Sequence, residues 1–308
     1  MISVIMATYN GEKFIIQQLN SIKNQTKQPD EVIIKDDASS DNTCYLITKY
    51  IEDNKLNHWK LYVNQVNKGF VRNFYEALEL SNGELIFLCD QDDIWLPNKI
   101  DEMSKLMKKS NAMMLHSEID VINEKDEVIA HHYEGLKNGF SRIDLEKYIR
   151  IFHYCGMSSV LNSELKEVCL KINPEFISTH DWFWGLIASF YHRFYITSAV
   201  FTQRRFHSKN VAMSMSNKPK REGIRQRVKI IDESIQFYSS AKHILYLIDE
   251  GSDFIIMIDK FFSISMERRN NVKNRKLWNA ICSINKLYYY PTIKSYLGDL
   301  LYIAGFFD

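Results

Sequence analysis

The chain has 308 residues, of which 45% are hydrophobic and 25% charged, a balance that supports a full hydrophobic core and excludes a disordered or fibrous polypeptide. With 39 Lys and Arg against 38 Asp and Glu the net charge is +1, which removes the general electrostatic attraction expected of a nucleic-acid binder. Five scattered cysteines, Cys44, Cys89, Cys155, Cys169 and Cys282, form no C-x-x-C pair, so they fit a reducing cytoplasm better than a disulfide framework or structural zinc.

The opening Met-Ile-Ser-Val-Ile-Met lacks the basic start and long apolar stretch of a signal peptide and reads as a strand over residues 2–7. A helix over 12–25 follows, because Ile15, Leu19 and Ile22 fall on one face. A second strand, 32–35, runs into Asp36-Asp37-Ala38-Ser39-Ser40-Asp41, a cluster of turn and N-cap formers. A third strand covers 60–63, and Phe70, Phe74, Ala77 and Leu78 mark a helix that Asn82-Gly83 is expected to end in a left-handed cap. The fourth strand, 85–89, is apolar throughout and runs directly into Asp90-Gln91-Asp92-Asp93. Strands alternating with helices predict parallel strands joined by crossover helices. Ligands of such sheets bind beyond the carboxyl ends of the strands, so the polar groups near Tyr9, Asp37 and Asp92 should meet at one crevice.

Beyond residue 112 the order is less regular, with strands expected at 112–116, 157–161 and 194–201 and a helix opening near Thr179. Residues 216–223 combine Pro, Gly and charge and form the expected boundary, dividing a catalytic domain, 1–215, from a helical region, 216–308. No run of about 18 uncharged apolar residues is present to cross a membrane.

Carboxylates are hard oxygen ligands, and Asp90 and Asp92, one residue apart at a strand end, can share a divalent cation whose other positions take diphosphate oxygens. The competing reading is a solvated turn capping the helix near Leu96-Pro97. Three motifs in order, Ala7-Thr8-Tyr9-Asn10, Asp36 to Asp41 and Asp90 to Asp93, resemble the family-2 glycosyltransferases of the GT-A fold, particularly a bacterial rhamnosyltransferase-like branch. The likeness covers residues 1 to about 215 and implies an α/β fold with a mostly parallel central sheet flanked by helices; the helical C-terminal extension is read from the pattern of residues 216–308 and not from the likeness.

The resemblance implies roles residue by residue. Thr8, Tyr9 and Asn10 would hold the nucleotide together with Asp37 or its neighbour Asp36, which would accept from a base N–H. Asn67-Lys68-Gly69-Phe70-Val71-Arg72-Asn73 is similar to a donor-facing segment, which brings in Lys68, Arg72 and Asn73. Asp90 and Gln91 join the donor site, and Asp90, Asp92 and His207 would ligate Mg²⁺ or Mn²⁺. Thr179-His180-Asp181-Trp182-Phe183-Trp184 looks like the segment carrying the catalytic base. Asp181 is favoured and His180 is kept as a competent alternative; Trp182 and Trp184 would form a wall for the acceptor sugar. In Arg204 to Val211 the matching positions are Arg205, His207 and Asn210, where Arg or His would neutralise charge on the departing nucleotide.

The expected activity is therefore inverting transfer of a sugar from a UDP- or dTDP-sugar, dTDP-rhamnose being one candidate, to a hydroxyl of a surface glycan or lipid-linked glycan. A non-catalytic sugar-nucleotide-binding protein on the same fold, or a sugar nucleotidyltransferase, is the alternative; Thr8-Tyr9-Asn10-Gly11-Glu12 is not the Gly-rich basic loop that the last would need. No nucleic-acid partner is expected. The aromatic C-terminus, with Arg221, Arg225, Arg227 and Lys229 upstream, fits a packed helical bundle, a homo-oligomer contact or peripheral attachment to the inner face of a membrane.

Overall fold

A computed structural model describes residues 1–132, 139–152, 154–207 and 223–306. Most of the expected boundary, and Asn210 and Arg221 with it, lies outside the described residues. The chain divides into two compact units, Met1–Leu145 with His153–Glu175 and Thr179–Val211, and Glu146–Phe152 with Phe176–Ser178 and Ala212–Asp308.

The first unit opens with β1 (Ile2–Thr8), α1 (Ile15–Lys23), β2 (Glu31–Asp36), α2 (Thr43–Asp53), β3 (Trp59–Val63), α3 (Phe70–Leu80) and β4 (Leu85–Asp90). These four strands lie side by side in the order β3-β2-β1-β4, all parallel. Val4, Met6, Ile34, Phe87 and Cys89 have no exposed surface, as strands covered on both faces require. Each buried side chain of this size contributes about 1.5–3 kcal/mol relative to exposure.

The second half of the sheet is mixed. It is built from β5 (Ile94–Trp95), α4 (Lys99–Ser110), β6 (Met114–Ile122), β7 (Val128–His132), β8 (Phe140–Arg142), α5 (Leu145–Arg150), β9 (Ser159–Asn162), α6 (Ser163–Cys169), α7 (His180–Phe190) and β10 (Phe194–Arg205); α5 falls almost wholly in the second unit. β9 runs antiparallel between β4 and β6, β10 lies parallel to β6, and β5 closes the far edge antiparallel to β10. The β6–β10 register shifts between Thr197 and Val200 and again between Val200 and Thr202.

One local expectation fails. Gly83 does not cap α3 in a left-handed conformation; α3 ends at Leu80, with Ser81 extended at ψ 146°. Gly83 is there because of crowding, since a Cβ would lie 2.4 Å from Ser3 Oγ and 2.6 Å from Ser3 N.

The second unit contains α8 (Gly223–Ile248), α9 (Asp253–Lys273), α10 (Leu277–Cys282) and α11 (Ile293–Ile303), with a 3₁₀ segment over Ser283–Tyr289. Ile231, Val272, Ala280 and Ile303 form one of its buried clusters. Asp299, 2% exposed, is bonded to both Arg227 and Arg268, which meets the requirement that a buried charge be paired. No helix among the described residues is long and apolar enough to cross a membrane.

Candidate active site

Register brings the sequence motifs together. Thr8 lies opposite Asp36, and Ala7 opposite Asp90, so the carboxyl ends of β1, β2 and β4 are level and their polar extensions share one sheet edge. Gln91 clamps the first loop, its Oε1 accepting from Tyr9 N at 2.8 Å and its Nε2 donating to Tyr9 O at 3.0 Å. The Tyr9 side chain is left 47% exposed, available to cover a flat ligand. Asn10 adopts a left-handed φ of 49° and its Oδ1 accepts from Ser40 N, tying the first loop to the second.

Several expected donor ligands are already engaged. Thr8 Oγ1 donates to Asp36 Oδ2 at 2.7 Å, Ser39 donates to the same carboxylate, and both Thr8 and Asp36 are buried, so this pair braces the loop and does not face the crevice. Asp37 accepts from Lys68 N, Gly69 N and Asn64 Nδ2, which takes three of about four acceptor positions and fixes the loop before α3. Asn73 is 1% exposed, with its amide donating to Lys35 O at 2.6 Å and accepting from Asn64, so it supports β2 and does not reach a donor. Lys68 and Arg72 stay at the rim, both paired with Glu76. Glu76 is partly buried, yet Lys68, Lys35 and Arg72 overcome that and hold its carboxyl down at about 2.

The acidic run forms the floor. Burial, with the charges of Asp92 and Asp181, pushes Asp90 up to about 7. Burial together with Asp92 and Asp90 raises Asp93 well above the usual carboxylate range; its Oδ1 accepts from Arg205 N, while its buried Oδ2 has no hydrogen-bond partner. Asp92 Oδ2 lies 2.8 Å from His207 Nε2. Of the three expected metal ligands the fold therefore pairs Asp92 with His207. Asp90 stands nearby, and no group of three His, Cys, Asp or Glu around one point is found among the described residues. Crowded carboxylates with an orphaned oxygen, beside a His–Asp pair, nonetheless make a donor set chemically suited to a hard dication.

Two cations, Arg204 and Lys99, face this cluster, and sequence reasoning singled out neither. Arg204 is charged against Asp90, Asp92 and Asp93, and its guanidinium approaches Cys155 Sγ at 3.9 Å. Arg205, expected at the donor, is fully buried on the opposite side of β10. It donates to Asp92 O, Asn123 O, the Asp126 carboxylate and Gln17 Oε1, and stacks 4.6 Å over Phe14. Neighbouring residues of a strand point to opposite faces, so Arg204 and Arg205 cannot share one role.

Lys99, also fully buried, donates to Met157 O and to Thr202 Oγ1 at 2.8 Å and sits 3.9 Å over the Trp95 ring. Burial pulls its ammonium down to about 7 against the charges of Cys89, Asp93 and Asp90. A signal for Lys99 was available, since a lysine interrupts the apolar face of α4 formed by Ile100, Met103 and Met107.

Asp181 opens α7, where a helix N-terminus favours a carboxylate. Its Oδ2 accepts from Gly156 N at 2.8 Å and its Oδ1 from Trp182 N. Gly156 permits this approach, because a Cβ there would lie 3.1 Å from Asp181 Cβ and 3.3 Å from His180 Nε2. The Lys99 bond to Met157 O holds the same turn, so the support for Asp181 runs back to α4. Burial pushes Asp181 up to about 6, despite the two N–H donors.

His180 is not a competent alternative. It stacks 4.0 Å from Phe74 and lies beside Trp184; both ring nitrogens are buried without partners, and burial pulls the imidazole down to about 3. Trp184 is likewise fully buried, packed against Tyr75, and cannot form an acceptor wall, whereas Trp182 is only partly buried. Beyond its first turn α7 is buried all round, residues 183–189 lying in the core, while 181 and 182 are only partly buried.

The fold is of the GT-A type. The sequence model of glycosyl transferase family 2 matches residues 3–169, and the chain belongs to that family. A UDP-Glc:alpha-D-GlcNAc-diphosphoundecaprenol beta-1,3-glucosyltransferase of Escherichia coli is 32% identical over 40% of this chain and 47% of its own length. A dTDP-rhamnosyl transferase of Shigella flexneri is 30% identical over 58% of this chain and 63% of its own. The chain thus spans only part of the length of these relatives. Among solved structures, S. aureus TarS 1-349 in complex with UDP has a TM-score of 0.60 at 19% identity, covering 87% of this chain and 71% of that one. A mannosyltransferase from Pyrobaculum calidifontis in complex with GDP-Man and Mn²⁺ has a TM-score of 0.59 at 14% identity, covering 98% and 84%.

Proposed function

We propose that the chain transfers a sugar from a nucleotide diphosphate sugar to an acceptor hydroxyl with inversion at the anomeric carbon. The observation that carries this reading is Asp181, fixed by Gly156 N–H opposite the Asp90–Asp92 floor and raised to about 6. Such a carboxylate is ionised at neutral pH yet basic enough to take a proton. The exposed Tyr9 ring covers the base, and Asp37 has one acceptor position left for a base N–H. Arg204 faces the leaving diphosphate. Asp92 and His207, with Asp90 beside them, would hold a divalent cation, which when bound neutralises the charge of the departing nucleotide. Asp181 removes the proton from the acceptor hydroxyl, whose oxygen attacks the anomeric carbon from the face opposite the diphosphate; the C–O bond to the diphosphate breaks as the new one forms. The relatives' names favour a UDP- or dTDP-sugar and a lipid-linked glycan acceptor.

The metal part has a pH signature. A carboxyl whose folded pKa is raised stabilises the fold at low pH, and that stability is lost as pH rises through the folded value, about 7 for Asp90. A cation should restore it where the carboxylates are ionised. Thermal unfolding with and without Mn²⁺ should therefore show a larger melting-temperature gain at pH 8 than at pH 5.5, and Asp92→Asn should shrink the gain. Equal gains at both pH values would contradict the assignment.

A further inference from the structure

The outer surface of the second unit is unusual for a water-facing helix pair. Along α11, Ile293, Leu297 and Leu301 recur at i, i+4, i+8 and are 66%, 51% and 39% exposed, while Tyr296, Asp299 and Ile303 face inward. The adjoining segment exposes Trp278 at 74%, Ile281 at 40% and Ile284 at 59%. The two segments are neighbours, since Tyr296 OH donates to Ile281 O at 3.1 Å and Ala280 packs in one cluster with Ile303. An apolar stripe of this kind on the solvent side of a helix marks a docking face.

The charge around the stripe selects the occupant. Lys273, Lys276 and Lys294 are exposed beside it; of the carboxylates that touch these segments, Asp299 is buried and bonded to Arg227 and Arg268, and Glu267 is paired with Lys286. A twofold contact with a second copy would set this cationic rim against itself. An anionic bilayer complements it: apolar side chains enter the headgroup boundary, an indole sits at the interface, and lysines meet lipid phosphates. We propose that α10, the 3₁₀ segment and α11 form a peripheral docking face for anionic phospholipid membrane. This deepens the functional reading by bringing the enzyme to a lipid-linked acceptor, but the binding itself needs neither donor nor turnover.

The test is co-sedimentation of the full chain with phosphatidylcholine vesicles, with and without phosphatidylglycerol. Binding should require phosphatidylglycerol and fall with salt. Trp278→Ser with Leu297→Ser should weaken it by at least about tenfold, and replacing each lysine by Gln should cost about fivefold. Circular dichroism and donor hydrolysis should be unchanged in these variants, which separates lost docking from lost folding and from failure of the catalytic reading. Absence of phosphatidylglycerol-dependent binding would overturn the proposal. So would a dimer, seen by light scattering, that the same apolar substitutions dissolve.

Discussion

Asp181→Asn is expected to lower turnover by about 10²–10⁴ while leaving donor affinity within about twofold, because the amide keeps the shape of the side chain but cannot take a proton. Burial places the Asp181 pKa at about 6, so in the unaltered enzyme kcat/KM should be level above that value and fall tenfold per pH unit well below it, as the carboxylate becomes protonated. Steady-state rates across pH 5 to 8, with donor binding followed by calorimetry, check both statements. An Asp181→Asn enzyme with near-normal turnover would remove the base from this position, and His180, enclosed by Phe74 and Trp184 without a partner on either nitrogen, offers no substitute.

The adjacent arginines should separate just as sharply, in the opposite sense. Arg205→Met removes a fully buried guanidinium that joins β10 to α1 and to the turn after β6, leaving Asp126 and the Asn123 carbonyl without their cation; a loss of about 3–5 kcal/mol in chemical unfolding is expected. Arg204→Met should leave stability nearly unchanged, or raise it slightly, while weakening donor binding, since its partners are the acidic floor. The reverse pattern, with Arg205 sensitive in binding and silent in unfolding, would restore the assignment suggested by the resemblance alone.

The Gly156 turn explains why these effects reach far from the chemistry. Lys99 on α4 holds Met157 O, and Gly156 N–H holds Asp181, so one short segment connects a buried ammonium to the proposed base. Lys99→Met should consequently act on turnover more than on KM, because the loops before α2 and α3, which we propose hold the nucleotide, do not use it. A change confined to KM would argue against this connection.

The parallel half of the sheet, β1 to β4, was legible from sequence because short apolar runs alternate with helical periodicity, and each run ends in polar residues. The same local signals placed Tyr9 and the acidic run at strand ends and Asp181 at a helix start, since such positions follow from chain direction alone. Tertiary structure decided the rest. Asp36, Thr8 and Asn73 are polar and well placed in sequence, yet their hydrogen-bond capacity is taken by partners about 28 to 38 residues away in the chain, which no local pattern announces. Trp182 and Trp184 look alike until α7 turns one inward. The choice between Arg204 and Arg205 rests on strand parity, and two register shifts in β10 between Thr197 and Thr202 reset that parity before the arginines are reached. A strand's composition reveals that one of two neighbours faces the site; only the irregular pairing with β6 determines which one.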